Sequence, residues 1–252
     1  MTVRRVALVT GANQGVGFQV AKELVANGVT VLLGSRDFAR GQEAAKTIGA
    51  GAVAIQLDVT DSASIAAAAQ RVEDEFGRLD LLVNNAGISH ASQRDGDFLD
   101  DYATANRAST ASLDEIRAVW ETNVFGTLAV YQAMLPLLRE SADARIVNVS
   151  SGVGSLAANA DPAYPYHSMF GPVYPASKAA QNAITLAIMI ELESTDIKVN
   201  LVSPGFTATN LNGFAGTESL EDGSREVVRV CLLGPDGPTG TFTRWENSPI
   251  PW

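Results

Sequence analysis

Cysteine and histidine are nearly missing from this chain: Cys231, His90 and His167 are all it has of either in 252 residues. A single cysteine excludes an internal disulfide, and such a chain suits a reducing interior such as the cytoplasm. The two histidines sit in loop-like stretches with no cysteine beside them, so no metal is expected. Positive charge is also scarce, with 18 Lys and Arg against 28 Asp and Glu and a net charge of −10. That balance carries no footprint for nucleic acid or an anionic membrane surface. No apolar run approaches the roughly 20 residues needed to span a bilayer. The opening Met1-Thr2-Val3-Arg4-Arg5 runs straight into a strand, which leaves no room for a signal peptide. Repeats and low-complexity linkers are lacking too, so one domain over residues 1–252 is expected.

What the chain does have is alternation. Apolar, β-branched runs occur at Val6–Val9, Val29–Leu33, Ala52–Leu57, Leu79–Val83, Arg145–Val149 and Lys198–Val202. Helix-like stretches separate the later ones at about 38–48, 62–76, 113–139 and 176–193. Strands alternating with helices predict an α/β fold, a doubly wound parallel sheet with helices on both faces. Ligands of such folds sit outside the carboxyl ends of the strands. The chemically distinctive residues fall at those ends: Asp58, Asn84-Asn85-Ala86-Gly87, Ser150-Ser151 and Pro204-Gly205.

After the first strand comes Thr10-Gly11-Ala12-Asn13-Gln14-Gly15-Val16-Gly17, and then Phe18, Val20, Ala21, Leu24 and Val25 recur at helical spacing. Strand, glycine-rich turn and helix in that order suit a pyrophosphate, whose charge is favoured at a helix N-terminus. Tyr174 and Lys178 lie four apart, on one face of a helix. An ammonium beside a phenol would stabilise the phenolate, lowering the tyrosine pKa so that it can exchange a proton near neutral pH.

These motifs, together with Asn123, occur in an order that resembles the short-chain dehydrogenase/reductase family over nearly the whole length. The resemblance leans to the NADPH-dependent carbonyl reductase branch, through Gly15-Val16-Gly17-Phe18, Ser35-Arg36-Asp37 and Arg40-Gly41-Gln42. It implies a single-domain Rossmann fold and hydride exchange between a nicotinamide cofactor and a carbonyl or alcohol. Tyr174 would be general acid in reduction and general base in oxidation. Lys178 would tune Tyr174 and contact the nicotinamide ribose, Ser151 would hold the substrate oxygen, and Asn123 would support a water chain to the lysine. Ser150 reads as a strand-end residue. For the cofactor the resemblance implies Gly11, Asn13, Gln14, Gly15, Val16 and Gly17 at the pyrophosphate turn. Asp58 and Val59 would meet the adenine and Asn85, Ala86 and Gly87 the adenosine ribose, with Pro204, Gly205 and Thr207 as further contacts alongside Tyr174 and Lys178.

NADP(H) is expected over NAD, because the second strand ends in Gly34-Ser35-Arg36 where an acidic residue would select a free ribose diol. Arg36 and Arg40, one helical turn apart, can pair with a 2′-phosphate, while Asp37 falls where it would cap the next helix. Two insertions stand out. One, near 89–112, carries Asp95, Asp97, Asp100 and Asp101; the other, near 156–173, is rich in proline and aromatics and leads into Tyr174. Both are expected over the substrate entrance, with the segment after Pro204-Gly205 as a mobile lid. Insertion before the tyrosine helix favours a monomer, with a dimer as the other option. Thr239–Trp245 suggests a last edge strand, and Trp252 is exposed unless covered. The expected activity is NADPH-dependent reduction of a ketone or aldehyde. The alternatives are an NAD-dependent secondary-alcohol dehydrogenase and a non-catalytic NADP(H) sensor.

Overall fold

In the computed structural model, which describes residues 4–91 and 107–252, strand β1 (Val6–Val9) organises two cores at once. Val6 and Leu8 point into one and Ala7 and Val9 into the other, as the period of two in a strand demands. Helices α1 (Gly15–Ala26), α2 (Phe38–Ile48) and α8 (Leu220–Cys231) cover the Ala7 face through Val20, Leu24, Ala44, Ala45, Val227 and Val230. On the Leu8 face lie α3 (Ser62–Phe76), α5 (Gly126–Arg139) and α7 (Tyr174–Glu191), which bring Ile65, Val72, Val130, Met134, Leu138 and Ile188.

The sheet joins β2 (Thr30–Ser35), β3 (Ala52–Gln56), β4 (Leu81–Asn84), β5 (Arg145–Val149), β6 (Lys198–Val202), β7 (Phe242–Arg244) and β8 (Ser248–Pro249). Its order is β3-β2-β1-β4-β5-β6-β7-β8, parallel except for the antiparallel β7–β8 pair. Chain direction across the sheet reverses between β1 and β4, so a crevice opens at their carboxyl ends. The expected single-domain doubly wound sheet is therefore present. Its strand boundaries differ from expectation for local reasons. Val29 donates its N–H back to Leu24 of α1, so β2 begins one residue later. Leu79 likewise donates to Leu137, capping α5, and β4 begins at Leu81. Thr239–Trp245 does hold a strand, but β8 rather than β7 is the edge.

The expected helix over 113–139 is broken into α4 (Leu113–Trp120), a π turn (Glu121–Phe125) and α5. Asn123 sits inside the wide turn. Among the described residues of the second insertion, a short helix α6 (Leu156–Asn159) and a 3₁₀ turn (His167–Met169) lead towards α7. The acidic residues Asp95, Asp97, Asp100 and Asp101 of the first insertion lie outside the described residues.

Another 3₁₀ turn (Gly152–Gly154) follows β5 and presses on α7. A Cβ built at Gly154 would lie 2.7 Å from Lys178 Cβ and 2.8 Å from its carbonyl carbon. No side chain fits there without moving the turn off the helix. Gly154→Ala is expected to cost about 1–3 kcal/mol, as overpacking does. A urea midpoint unchanged from the parent protein would show that the two elements are not held in this contact.

Candidate active site

The glycine-rich turn follows β1 into the crevice with Gly11 and Gly15 at φ +62° and +59°, backbone that β-carbons resist. A Cβ on Gly11 would meet Ala86 Cα at 2.9 Å, and one on Gly17 would run into the Asn85 amide. Asn85 donates from Nδ2 to Thr10 O at 2.8 Å, while the Asn85 and Ala86 N–H groups donate to Thr10 Oγ1 at 3.0 and 2.9 Å. Thus the β4 end clamps the turn. The Gln14 N-cap contributes no side-chain hydrogen bond to α1, whose first turn is left without a side-chain cap. An anionic phosphate suits that end.

On the adenosine side, Asp37 Oδ1 accepts the Arg40 N–H at 3.1 Å and so caps α2. Arg36 and Arg40 are exposed beside it. Arg40 Nη2 donates to Gln14 Oε1 at 2.5 Å, and Asn13, Gln14 and Arg40 line a cleft of about 510 Å³ between α1 and α2. Asp58 accepts the N–H and hydroxyl of Thr60 through Oδ1, at 2.9 and 2.7 Å. Val59 is buried where a Cβ on Gly126 would meet its carbonyl oxygen at 2.9 Å.

At the other end, Tyr174 opens α7 and Lys178 is one turn along. The Ser151 hydroxyl lies beside the Tyr174 phenol, where it favours the ionised form, and accepts the Val153 N–H at 3.4 Å. Ser150 turns away, donating from Oγ to Asn182 Oδ1 at 2.5 Å with only 2% of its surface exposed. Lys178, 3% exposed, donates from Nζ to Val149 O at 2.9 Å and Gln181 Oε1 at 3.0 Å. Asn123 Oδ1 and Lys178 Nζ both border Gly87, 3.3 and 3.5 Å from the position its Cβ would take.

The expected lowering of the Tyr174 pKa does not occur. Burial pushes it up to about 12, against which the Ser151 hydrogen bond works. Burial also pushes Lys178 down to about 7. The geometry explains why. The ammonium lies 5.7 Å from the centroid of the Tyr174 ring and hydrogen-bonds elsewhere, so it does not offset the desolvation of the phenol.

Asn123 is held by protein groups on two sides. Its side chain accepts from the Ile88 N–H and donates to Ile88 O, both at 2.9 Å, and donates to Ser177 Oγ at 3.0 Å. Its connection to the lysine runs through protein groups: Lys178 Nζ to Gln181 Oε1, Gln181 Nε2 to Thr127 Oγ1 at 3.2 Å, and Thr127 Oγ1 to Asn123 O at 3.0 Å. Sequence reading missed Thr127 and Gln181. Their spacing, four after Asn123 and three after Lys178, was the available signal.

Thr207 points away from the crevice, since its hydroxyl donates to Gly205 O at 2.9 Å and its side chain fills the space a Cβ on Gly223 would need. The segment beyond Pro204-Gly205 instead reaches the site through Thr209, Asn210 and Leu211. Thr209 Cγ2 borders Gly15, 3.5 Å from the position of its Cβ. Asn210 Nδ2 donates to Gln14 Oε1 at 3.1 Å, and Leu211 O accepts the Ser89 hydroxyl at 2.5 Å. Expected as a mobile lid, the segment is here tied to both rims of the crevice. His90 accompanies Ser89, with Nδ1 2.7 Å from its hydroxyl, and His167 Nδ1 lies 2.8 Å from Asn159 O. Among the described residues no cluster of His, Cys, Asp and Glu could hold a metal ion, and no helix is long and apolar enough to cross a membrane.

Residues 5–219 match the model of the short chain dehydrogenase family. The chain belongs to that family. A relative, "Short-chain dehydrogenase anuI" of Penicillium roqueforti (strain FM164), is 38% identical over 236 residues, covering 90% of this chain and 88% of its own. The solved structure of salutaridine reductase from Papaver somniferum has a TM-score of 0.78 at 30% identity, covering 95% of this chain and 99% of its own. NADPH-bound carbonyl reductase from chicken fatty liver gives 0.80 at 28% identity, covering 99% and 100%. Short-chain dehydrogenases are oxidoreductases that bind a nicotinamide cofactor, and the uncapped α1 terminus and the glycine cradle of this chain fit its pyrophosphate.

Burial of Lys178 and Tyr174 makes stability depend on pH. Between about pH 7 and 10.5 the unfolded lysine holds a proton that the folded one has released, so stability rises with pH there. Above about pH 10 the unfolded phenol ionises before the folded one, and stability falls. Lys178→Met is expected to remove the rising limb and leave the falling one. Urea midpoints measured across that range for both proteins check this; parallel curves would contradict the buried, easily neutralised lysine.

Proposed function

We propose that this short-chain dehydrogenase reduces a ketone or aldehyde to an alcohol with NADPH. The observation that carries the reading is the placement of the Ser151 hydroxyl beside the Tyr174 phenol, with the buried Lys178 Nζ 5.7 Å from the centre of that ring. Two hydroxyl donors lie side by side there, which suits an oxygen gaining negative charge. Tyr174, held as a neutral phenol, is in the form that donates a proton, and Ser151 orients it. Lys178, poised near neutrality beneath the ring, can hand a proton onward as Tyr174 gives up its own. The nicotinamide supplies the hydride when bound. Gln181 and Thr127 hold the lysine in register, and Asn123 fixes the Ile88 backbone beside it. The relatives named as a salutaridine reductase and a carbonyl reductase support reduction of a carbonyl group.

Preference for NADPH rests on the adenosine side. Asp37 is committed to the α2 cap, so its carboxylate is engaged where a ribose diol would otherwise find it. Arg36 and Arg40 remain exposed next to that position. The NADPH-bound neighbour agrees with the choice.

Oxidation of NADPH in the presence of a panel of ketones and aldehydes, followed by absorbance, tests the activity. Tyr174→Phe is expected to keep NADPH affinity while kcat falls at least about 10²-fold, because it loses the proton donor and one oxyanion contact. An undiminished rate would remove Tyr174 from the chemistry.

Arg36→Asp is expected to weaken NADPH binding about ten- to a hundredfold while sparing NADH. A charge-assisted hydrogen bond is worth about 1.5–3 kcal/mol. Equal affinity of the parent protein for the two cofactors, measured by titration, would overturn the phosphate assignment.

A further inference from the structure

The residues after β7 fold back onto the turn that carries Ser151. Their path is fixed first at α8, where buried Glu226 accepts the Asn247 N–H through Oε2 at 3.2 Å and Arg229 Nη2 donates to Asn247 Oδ1 at 2.9 Å. β8 then pairs Arg244 with Ser248 and Thr243 with Pro249, and the Ile250 N–H donates to Phe242 O at 2.8 Å. Beyond it, Pro251 O accepts the Ser155 hydroxyl at 2.5 Å and Trp252 O accepts the Ala157 N–H at 3.0 Å. The Trp252 ring, the one expected to be exposed unless covered, meets Phe242 edge-on with centroids 6.1 Å apart. Residues 248–252 thus form a strap from the sheet edge to the segment just after Ser151.

The strap brings one side chain close to the reacting end. Gly152 follows Ser151 directly, and the direction its Cβ would take is bordered by Tyr164 Oη at 3.5 Å, Ser203 Oγ at 3.8 Å and Ile250 Cδ1 at 4.0 Å. Three remote parts of the chain therefore converge beside Ser151: the second insertion, the β6 end and the strap. Ile250 is only half-buried, so part of an apolar, branched side chain is left uncovered at this point. It cannot swing aside easily, because its own N–H and the carbonyls of the next two residues are all engaged.

We propose that Ile250 is a specificity-determining residue, forming with Tyr164 a wall of the substrate pocket that limits how bulky a carbonyl compound can reach Ser151 and Tyr174. This rests on the carbonyl-reductase reading above and adds to it the element that sets substrate size.

The test compares kcat/KM for cyclohexanone and benzophenone with NADPH. Ile250→Ala is expected to raise the benzophenone-to-cyclohexanone ratio about tenfold, and Ile250→Phe to lower it by a similar factor, the usual scale for one apolar contact. Unchanged NADPH affinity would show that both variants are folded. A second measurement does not depend on turnover. Cys231 is fully buried, so Ile250→Cys introduces the one accessible thiol, and its alkylation by iodoacetamide with NADP⁺ bound should slow in the presence of benzophenone. Ratios unmoved in both size variants, or alkylation indifferent to the ketone, would place Ile250 outside the pocket. A parent protein that reduces neither ketone, together with ketone protection of the Ile250→Cys thiol, would instead overturn the proposed reaction and leave the wall in place.

Discussion

The burial of Lys178 is the constraint around which the rest of the site is arranged. An ammonium taken out of water is costly unless its protons find acceptors, and what the fold cannot satisfy it neutralises. Two acceptors are supplied, the Val149 carbonyl at the end of β5 and the Gln181 amide one turn along α7. Gln181 is held in turn by Thr127, and Thr127 by the carbonyl of Asn123 inside the π turn. The turn at Gly154 packs on the lysine's own backbone and Cβ, and only 3% of the lysine's surface is exposed. Even so, the lysine sits near its neutral point rather than as a fixed cation. For the proposed reaction, a group at that balance would serve proton transfer near neutral pH better than a permanent charge.

The sheet makes this possible by placing polar residues where apolar ones would be expected. Asn84 and Asn148 are neighbours across β4 and β5, their amides joined at 2.9 Å, and Asn148 reaches Thr185 of α7 at 2.8 Å. Such buried amides cost stability unless paired, and their pairing sets the height of α7 over the strand ends. Tyr174 and Lys178 inherit that height. On the far side of the switch point, Thr10 does the same for the glycine turn by accepting two N–H groups from the β4 end. The crevice is therefore set by hydrogen bonds between strand ends.

Much of this was legible in the sequence. The β1–turn–α1 unit reads directly because its apolar period changes from two to 3.6 across a glycine cluster. The pairing of Tyr174 with Lys178 reads from a spacing of four, and the role of Asp37 as a cap from its place before a helix. What did not read is tertiary. The π turn at Asn123 arises because that side chain is captured by the backbone of Ile88, 35 positions away, and no local pattern announces it. The direction of the Tyr174 shift depends on which way the ammonium faces and on how dry the phenol is, neither of which spacing encodes. The inward turn of the Thr207 side chain is hidden for a similar reason, since only packing against Gly223 shows it.

The turn Ser151–Ser155 shows how one short segment serves two purposes that pull against each other. The proposed chemistry needs the Ser151 hydroxyl fixed closely relative to Tyr174, whereas substrate choice needs surroundings that can vary. The two demands fall on opposite ends of the turn. Its Gly154 end is welded to the backbone of α7 at Lys178, where no side chain fits, and this fixes the serine to the tyrosine helix. The Gly152 end is less tightly packed, and its neighbours Tyr164, Ser203 and Ile250 come from the second insertion, the β6 end and residues 248–252, all away from the weld. A rigid contact on one side and replaceable neighbours on the other let the proton-transfer geometry stay constant while the pocket around it is reshaped.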